Sequence, residues 1–472
     1  MLLPPPTGPY PVGLSTFSHV VPAKTYGKSK LPNGQHALVM EEILYNVHYP
    51  CHVSQRRPAQ FVPWLAGPLA DMVAGFVKFT ELAGMGAWLF WPIIYLYLQF
   101  LKLPLYPDAP LLDPVEGSAV RGEPAKDKSA KWPLVIFSHG LGGSRTTYSY
   151  FCSELASEGY IVLAIEHRDA SGPSVRIRSN GAFRTLNYLP YGEIVCVRRR
   201  FVCPLRSRFP PLTVMEFRWG DDKPDDPMPF RSEGLDFRTV EVYETYRTFA
   251  ELIRGTSENL ICETGGSTYP FSQWIDKVDV ERLFLTGHSF GGATALAVLR
   301  TPPPSSYPAL PISHVLLLDP WVDPLRRDTV TPSPQPQLAI VNSENFTLWD
   351  DHFHRLKDIA FDCGGTSAKL MTIVRAGHQD FSDLPFLVPL RAKRGLALAK
   401  VIRTLSLAFL RDGLQEELNK EPRRDKEVVG ENRKERLVGN FAEVLLHGVS
   451  ETSSDDLSNI TAADNPGDNS TP

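Results

Sequence analysis

The segment Gly287-His288-Ser289-Phe290-Gly291 sets a serine between two glycines. It directly follows the apolar run 283–286 (LFLT) and precedes 293–299 (ATALAVL), a good helix former. A strand, a tight turn and a helix would project the serine hydroxyl at the strand's carboxyl end. The helix N-terminus behind it favours the negative charge that develops in acyl transfer. A bare GxSxG arises by chance ~0.1–0.2 times in a chain of this length, and the strand–helix setting lowers that by roughly tenfold. The bland alternative is a glycine-rich turn in an unrelated α/β protein.

A nucleophilic serine needs a base to take its proton and an acid to orient that base. Asp319 closes the apolar run 315–318, and His378 follows the run 370–374. Both therefore fall in strand-end loops, in the chain order serine, acid, histidine. Asp323 and Asp350 are rival acids, and His352 and His354 rival bases. The two histidines sit in DDHFHRLKD, which reads as a solvated helix. Two backbone N–H groups should receive the oxyanion. One would come from Phe290, after the serine. The other would come from the glycine-rich loop Ser138-His139-Gly140-Leu141-Gly142-Gly143, where Leu141 is the candidate.

Elements to hold these residues are legible around them. Short apolar runs recur at 134–137, 161–165, 283–286, 315–318, 338–341 and 370–374, separated by helix-compatible stretches or loops. This alternation predicts an α/β fold with a mostly parallel central sheet flanked by helices. The runs lack clean period-two alternation, as expected of strands buried on both faces. The organisation expected is N-terminal strands plus an apolar interfacial segment over 1–112, a polar linker over 113–131, a catalytic core over 132–411 with an insert at 171–235, and a charged, largely disordered tail over 412–472. Residues 36–49 read as outer strand. The uncharged run 82–101 carries Pro92 and many aromatics. It reads as an interfacial element or lid, with a buried helix or a single-pass span as alternatives. The basic, proline-rich piece 195–215 has no clear period and reads as a surface loop or as sequence foreign to the mature protein.

Composition narrows the function. The 472 residues are 43% hydrophobic with a net charge of −4, which argues against nucleic acid as a partner. Six cysteines are scattered without a CxxC pair, and neither HExxH nor a Rossmann or P-loop glycine pattern occurs. No metal or cofactor is therefore expected. The N-terminus MLLPPPTGPYPVG lacks the basic and apolar regions of a signal peptide. An intracellular, cytoplasmic and membrane-associated location is expected, and nothing sets the oligomeric state.

Taken in order, the motifs resemble the platelet-activating factor acetylhydrolases, plasma and intracellular type II. The resemblance runs through Gly8-Pro9-Tyr10-Pro11-Val12-Gly13, Phe137 to Gly142, Glu166-His167-Arg168-Asp169, Gly287 to Thr294, Leu318-Asp319-Pro320-Trp321, Asn342-Ser343-Glu344 and His378 to Asp383. It implies an α/β-hydrolase fold and calcium-independent hydrolysis of short or oxidised sn-2 acyl esters of phospholipids at a membrane or lipoprotein surface. It carries Ser289, Asp319 and His378 over as a triad, and Leu141 and Phe290 as oxyanion donors. A general short-chain carboxylesterase or lipase is the second expectation, and a membrane-associated pseudo-hydrolase scaffold the third.

Overall fold

The computed structural model describes residues 2–31, 33–53, 61–79, 95–120, 129–179, 181–190, 228–326, 334–420, 426–430 and 435–449. Two long strands, β1 (Val12–Lys30) and β2 (His36–Pro50), pair antiparallel at one side of the main sheet. After helix α1 (Leu69–Phe79), the chain alternates β3 (Trp132–Ser138), α2 (Ser149–Ser157) and β4 (Ile161–Ile165). It continues with α3 (Pro229–Ile253), β5 (Val278–His288), α4 (Phe290–Arg300), β6 (Ile312–Leu318) and β7 (Gln337–Ser343). Last come α5 (Asp350–Gly364), β8 (Lys369–Ile373), α6 (Pro389–Leu410) and β9 (Val444–His447).

The strands lie in the order β1-β2-β4-β3-β5-β6-β7-β8-β9, with the short strand Ile261–Cys262 outside β1. The six from β4 to β8 are mutually parallel, while β2 and β9 join them antiparallel. All six apolar runs marked in the sequence are strands of this parallel set. Their missing alternation has the reason given above. On β3, Leu134 and Ile136 face one core, with α3, α4 and α5. Val135 and Phe137 face another, with α2 and α6.

The chain goes from β3 to β4 on one side of β3 and returns to β5 on the other. The strand order thus reverses at β3, beside the loops that leave β3 and β5. That switch point is where ligands of open α/β sheets bind.

Several expected boundaries move. The sheet is not confined to 132–411, because β1 and β2 precede that span and β9 follows it. The tail expected to be disordered supplies β9, whose Leu445 is buried against Val374 and Leu437. The linker contains a helix, Pro114–Val120, and Asp113 pairs with Lys277 at 2.5 Å. The insert opens with the hairpin Ser174–Ser179/Ala182–Asn187 and closes into α3, with its piece 195–215 outside the described residues. DDHFHRLKD is an amphipathic α5 that buries His352, Phe353 and Leu356 rather than a solvated helix. Of the run 82–101, residues 82–94 lie outside the described residues, and 95–99 are helical. Among the described residues, no helix is long and apolar enough to cross a membrane.

Candidate active site

The turn after β5 holds Ser289 at φ 56°, ψ −121°, in backbone space that L-residues rarely enter. Close packing enforces it. A Cβ on Gly291 would lie 2.0 Å from the Ser138 carbonyl oxygen, so no side chain fits there. The Ser289 N–H bonds the Leu318 oxygen at 3.0 Å, and the Trp321 N–H bonds the Ser289 oxygen at 3.0 Å. These bonds tie the elbow to the end of β6.

Ser289 Oγ lies 2.9 Å from His378 Nε2, and His378 Nδ1 lies 2.7 Å from Asp319 Oδ2. Asp319 is fully buried, and its other oxygen accepts the Ser343 N–H at 2.7 Å. The His378 ring stacks on Phe346 with centroids 4.4 Å apart and planes 7° apart. Its loop is held by Asp380, which accepts the Gly377 N–H at 2.7 Å and pairs with Arg394 at 2.8 Å. Asp383 anchors the next turn by accepting from Trp64 Nε1 and from the Ser149 and Tyr150 N–H groups. Burial raises its carboxyl to about 7.

The rival residues are engaged elsewhere. Asp323 accepts from Trp321 Nε1 at 3.0 Å, and Asp350 pairs with Lys426 at 2.9 Å. His352 Nε2 accepts the Val322 N–H at 3.1 Å, and His354 bonds the Asp350 carbonyl on its own helix.

The loop that carries Leu141 packs against the serine, and Phe290 follows the serine in the chain. Gly140 sits so close that a Cβ there would come within 2.9 Å of Ser289 Cβ. The Gly142 N–H bonds the Ser171 oxygen at 2.8 Å, and the Gly143 N–H bonds the Gly140 oxygen at 3.1 Å. The N–H groups of Leu141 and Phe290 have no acceptor among the described residues.

Sequence reasoning passed over the group that holds them. Arg238 on α3 is fully buried. It donates to the His139 carbonyl at 2.7 Å, to Asp169 Oδ2 at 2.7 Å and to Ser171 Oγ, and its guanidinium lies 4.4 Å from the centre of the Phe290 ring. One cation thus braces both loops, through hydrogen bonds on one side and a cation–π contact on the other. Burial opposes the Asp169 charge, but Arg238 and the Ser171 hydrogen bond hold its carboxyl below the usual range. The motif Glu166-His167-Arg168-Asp169 marks one half of this pair. Arg238 follows a long insert and carries no local signal.

A second serine–histidine–acid string lies nearby. Ser138 Oγ is 2.7 Å from His167 Nε2, and His167 Nδ1 is 2.6 Å from Glu241 Oε2. All three side chains are buried, and its histidine is closed off from solvent, whereas His378 beside the equally buried Ser289 is partly exposed. Burial pushes the Glu241 carboxyl well up and the His167 imidazole well down, which favours a neutral, structural string. Geometry alone therefore does not make a nucleophile. One more grouping, His288, Asp319 and His378, brings possible metal-ligand atoms within 4.8 Å of one another. Its nitrogens and carboxylate are already hydrogen-bonded to each other, to Ser289, to the Tyr148 hydroxyl and to neighbouring backbone.

Residues 109–432 match the family described as platelet-activating factor acetylhydrolase, isoform II, well over half of the chain. The chain belongs to this family. It is 28% identical over 268 residues to a platelet-activating factor acetylhydrolase of Gallus gallus, a match covering 56% of each chain. It is 26% identical to the Bos taurus protein of that name, over 80% of this chain and 73% of the other. The first of these matches therefore spans little more than half the relative's length. A ferulic acid esterase from Streptomyces cinnamoneus superposes with a TM-score of 0.51 over 88% of this chain and 94% of its own, at 18% identity. At that identity the likeness bears on fold, and with the parallel sheet and its switch point it identifies an α/β-hydrolase-like architecture.

Proposed function

We propose that this platelet-activating factor acetylhydrolase family member is a serine hydrolase of phospholipid acyl esters, acting without calcium on short or oxidised sn-2 chains. The observation that carries the reading is the aligned string Ser289–His378–Asp319, with the glycine-rich loop of Leu141 packed against its serine. In the first step His378 Nε2 takes the Ser289 proton while Oγ bonds the ester carbonyl carbon. The carbonyl oxygen becomes an oxyanion between the Leu141 and Phe290 N–H groups. Asp319 holds the imidazolium in register. Collapse breaks the bond to the glycerol oxygen, which takes the proton from His378 and leaves as the lysophospholipid. Water then loses a proton to His378 and attacks the acyl-serine. The carboxylic acid is released and Ser289 regains its proton.

A lipid surface as the site of action is supported by apolar side chains facing solvent. Leu96 and Phe100 are exposed, as are Val388 and Leu390, the last to 96%. Tyr97, between the first two, donates to the Leu387 carbonyl at 2.5 Å, so the two stretches adjoin. The free, buried thiols of Cys51, Cys152, Cys262 and Cys363 support placing this surface inside the cell.

The test is acyl release from sn-2 acetyl and sn-2 palmitoyl phosphatidylcholine in EDTA, by the wild type and Ser289→Ala. Ser289-dependent release of acetate alone supports the proposal. Equal rates on both substrates point to a broader lipase. Cleavage of soluble esters only makes the protein a carboxylesterase, and no turnover of any ester leaves a scaffold.

A further inference from the structure

His288, the residue before the candidate nucleophile, is buried, and its two ring nitrogens point to different parts of the site. Nε2 lies 3.0 Å from the backbone oxygen of His378. A carbonyl oxygen only accepts, so Nε2 carries the proton. Burial, and after it the neighbouring His378, pushes this imidazole well below its usual range, so the ring is neutral and Nδ1 is a bare acceptor. Tyr148 Oη lies 2.8 Å from that Nδ1 and therefore donates to it. The same hydroxyl oxygen accepts the Gly140 N–H at 3.3 Å. Each proton in the string has one consistent place. Gly140 donates to Tyr148, Tyr148 to His288, and His288 to His378.

We propose that Tyr148 and His288 are positioning residues that lock the oxyanion loop, the nucleophile and the base into one register. The proposal rests on reading Ser289 as the nucleophile. Gly140 is bonded to Leu141, a candidate oxyanion donor; His288 is bonded to Ser289; the string ends on the backbone of His378. The ring contacts reinforce it. His288 lies 4.5 Å from the His378 ring on one side, Phe346 stacks at 4.4 Å, and Phe381 stacks on His288 at 5.6 Å. His288 serves here only as a neutral ring, because a second cation beside His378 would oppose the imidazolium formed in each acyl transfer. Without the Tyr148 hydroxyl, the Gly140 N–H and His288 Nδ1 are stranded in the interior. The tautomer that donates to His378 is then no longer enforced.

The experiment measures kcat and KM on a short-chain p-nitrophenyl ester for Tyr148→Phe, His288→Leu, their double variant and His288→Gln. It also measures the affinity of an acyl trifluoromethyl ketone, which forms an oxyanion adduct with the serine. Each of the first two variants is expected to lose about 10- to 100-fold in kcat, with KM within about twofold and a parallel loss of ketone affinity. The double variant should fall no lower than the worse single one, since both break one string. His288→Gln, whose amide can still donate to the His378 carbonyl, should recover most of the loss. Full kcat in a folded Tyr148→Phe, additive losses, or a change in KM alone overturns the proposal. Should the variants not fold, nitrogen-15 NMR of histidine-labelled wild type decides it. A neutral His288 with the proton on Nε2 is expected, and a proton on Nδ1 overturns the relay. Activity that survives in Ser289→Ala would instead overturn the nucleophile reading, and the tautomer measurement would still stand on its own.

Discussion

Replacing Arg238 with methionine keeps most of the side-chain volume and removes the charge. Asp169 is then left as a buried carboxylate whose remaining side-chain partner is Ser171, and the His139 carbonyl loses its 2.7 Å donor. Breaking a buried pair from one side costs about 3–5 kcal/mol, and Arg238 with Asp169 is such a pair. The pH dependence has a definite sign. In the wild type Asp169 titrates below its unfolded value, so its contribution is present above that value and lost as pH falls through the folded one. In the variant, burial acts without the opposing cation, and the folded carboxyl titrates above its unfolded value. Native protein then takes up a proton as pH falls, and the deficit relative to wild type shrinks. His139, which burial and then Arg238 hold down to about 3, moves the same way when the cation is gone. The assay is the urea midpoint of both proteins at pH 7.5 and 5.5, together with kcat. The deficit should be about 3 kcal/mol or more at pH 7.5 and smaller at pH 5.5. A fall in kcat of at least ~10-fold is expected, since one oxyanion donor is worth about 10²–10³. A deficit under about 1 kcal/mol, or one that widens in acid, refutes the reasoning.

Other perturbations separate the site from its surroundings. Ser138→Ala should keep kcat within about threefold while lowering stability by about 1–3 kcal/mol through the stranded His167 nitrogen; a loss as deep as that of Ser289→Ala would make the buried string functional. Gly140→Ala places a methyl 2.9 Å from Ser289 Cβ and 3.2 Å from the His288 oxygen. It should cost ~10²-fold in kcat with a smaller change in KM, and steady-state kinetics would show a wild-type rate if the loop has room to retreat. His48, His139 and His352 are held by burial at about 3, and His447 at about 4. Unfolded histidines bind protons below about pH 6.5 and these do not, so each withdraws about 1 kcal/mol of stability per pH unit below that point. Denaturant midpoints between pH 7 and 5 should drop steeply, and a flat profile would contradict the burial of these rings.

The elbow around Ser289 was legible because its constraints are local. A strand, two glycines in van der Waals contact with backbone and a helix leave a signature within a dozen residues. The six parallel strands were legible for a related reason, since burial on both faces demands continuous apolar runs. Asp319 and His378 were reachable as strand-end residues, while their choice over Asp323, Asp350, His352 and His354 rested on chain order and on family resemblance. What the sequence concealed depends on long-range pairing. β1 mixes exposed and buried positions along 19 residues, and β9 is four residues within a charged tail, so neither carries a period strong enough to read. Arg238 reads as one more charge on a helix with many, and Tyr148 and His288 read as ordinary members of a helix start and a turn.

The sequence by itself determined the kind of chemistry, because a nucleophile elbow and buried strands are written in contiguous residues. Only the tertiary structure decided which serine–histidine–acid string reaches solvent through its histidine, which cation braces the two loops beside Ser289, and how Gly140, Tyr148, His288 and His378 share their protons. Those properties are set by burial and by contacts between residues tens to hundreds of positions apart, and these come into being only when the sheet is assembled.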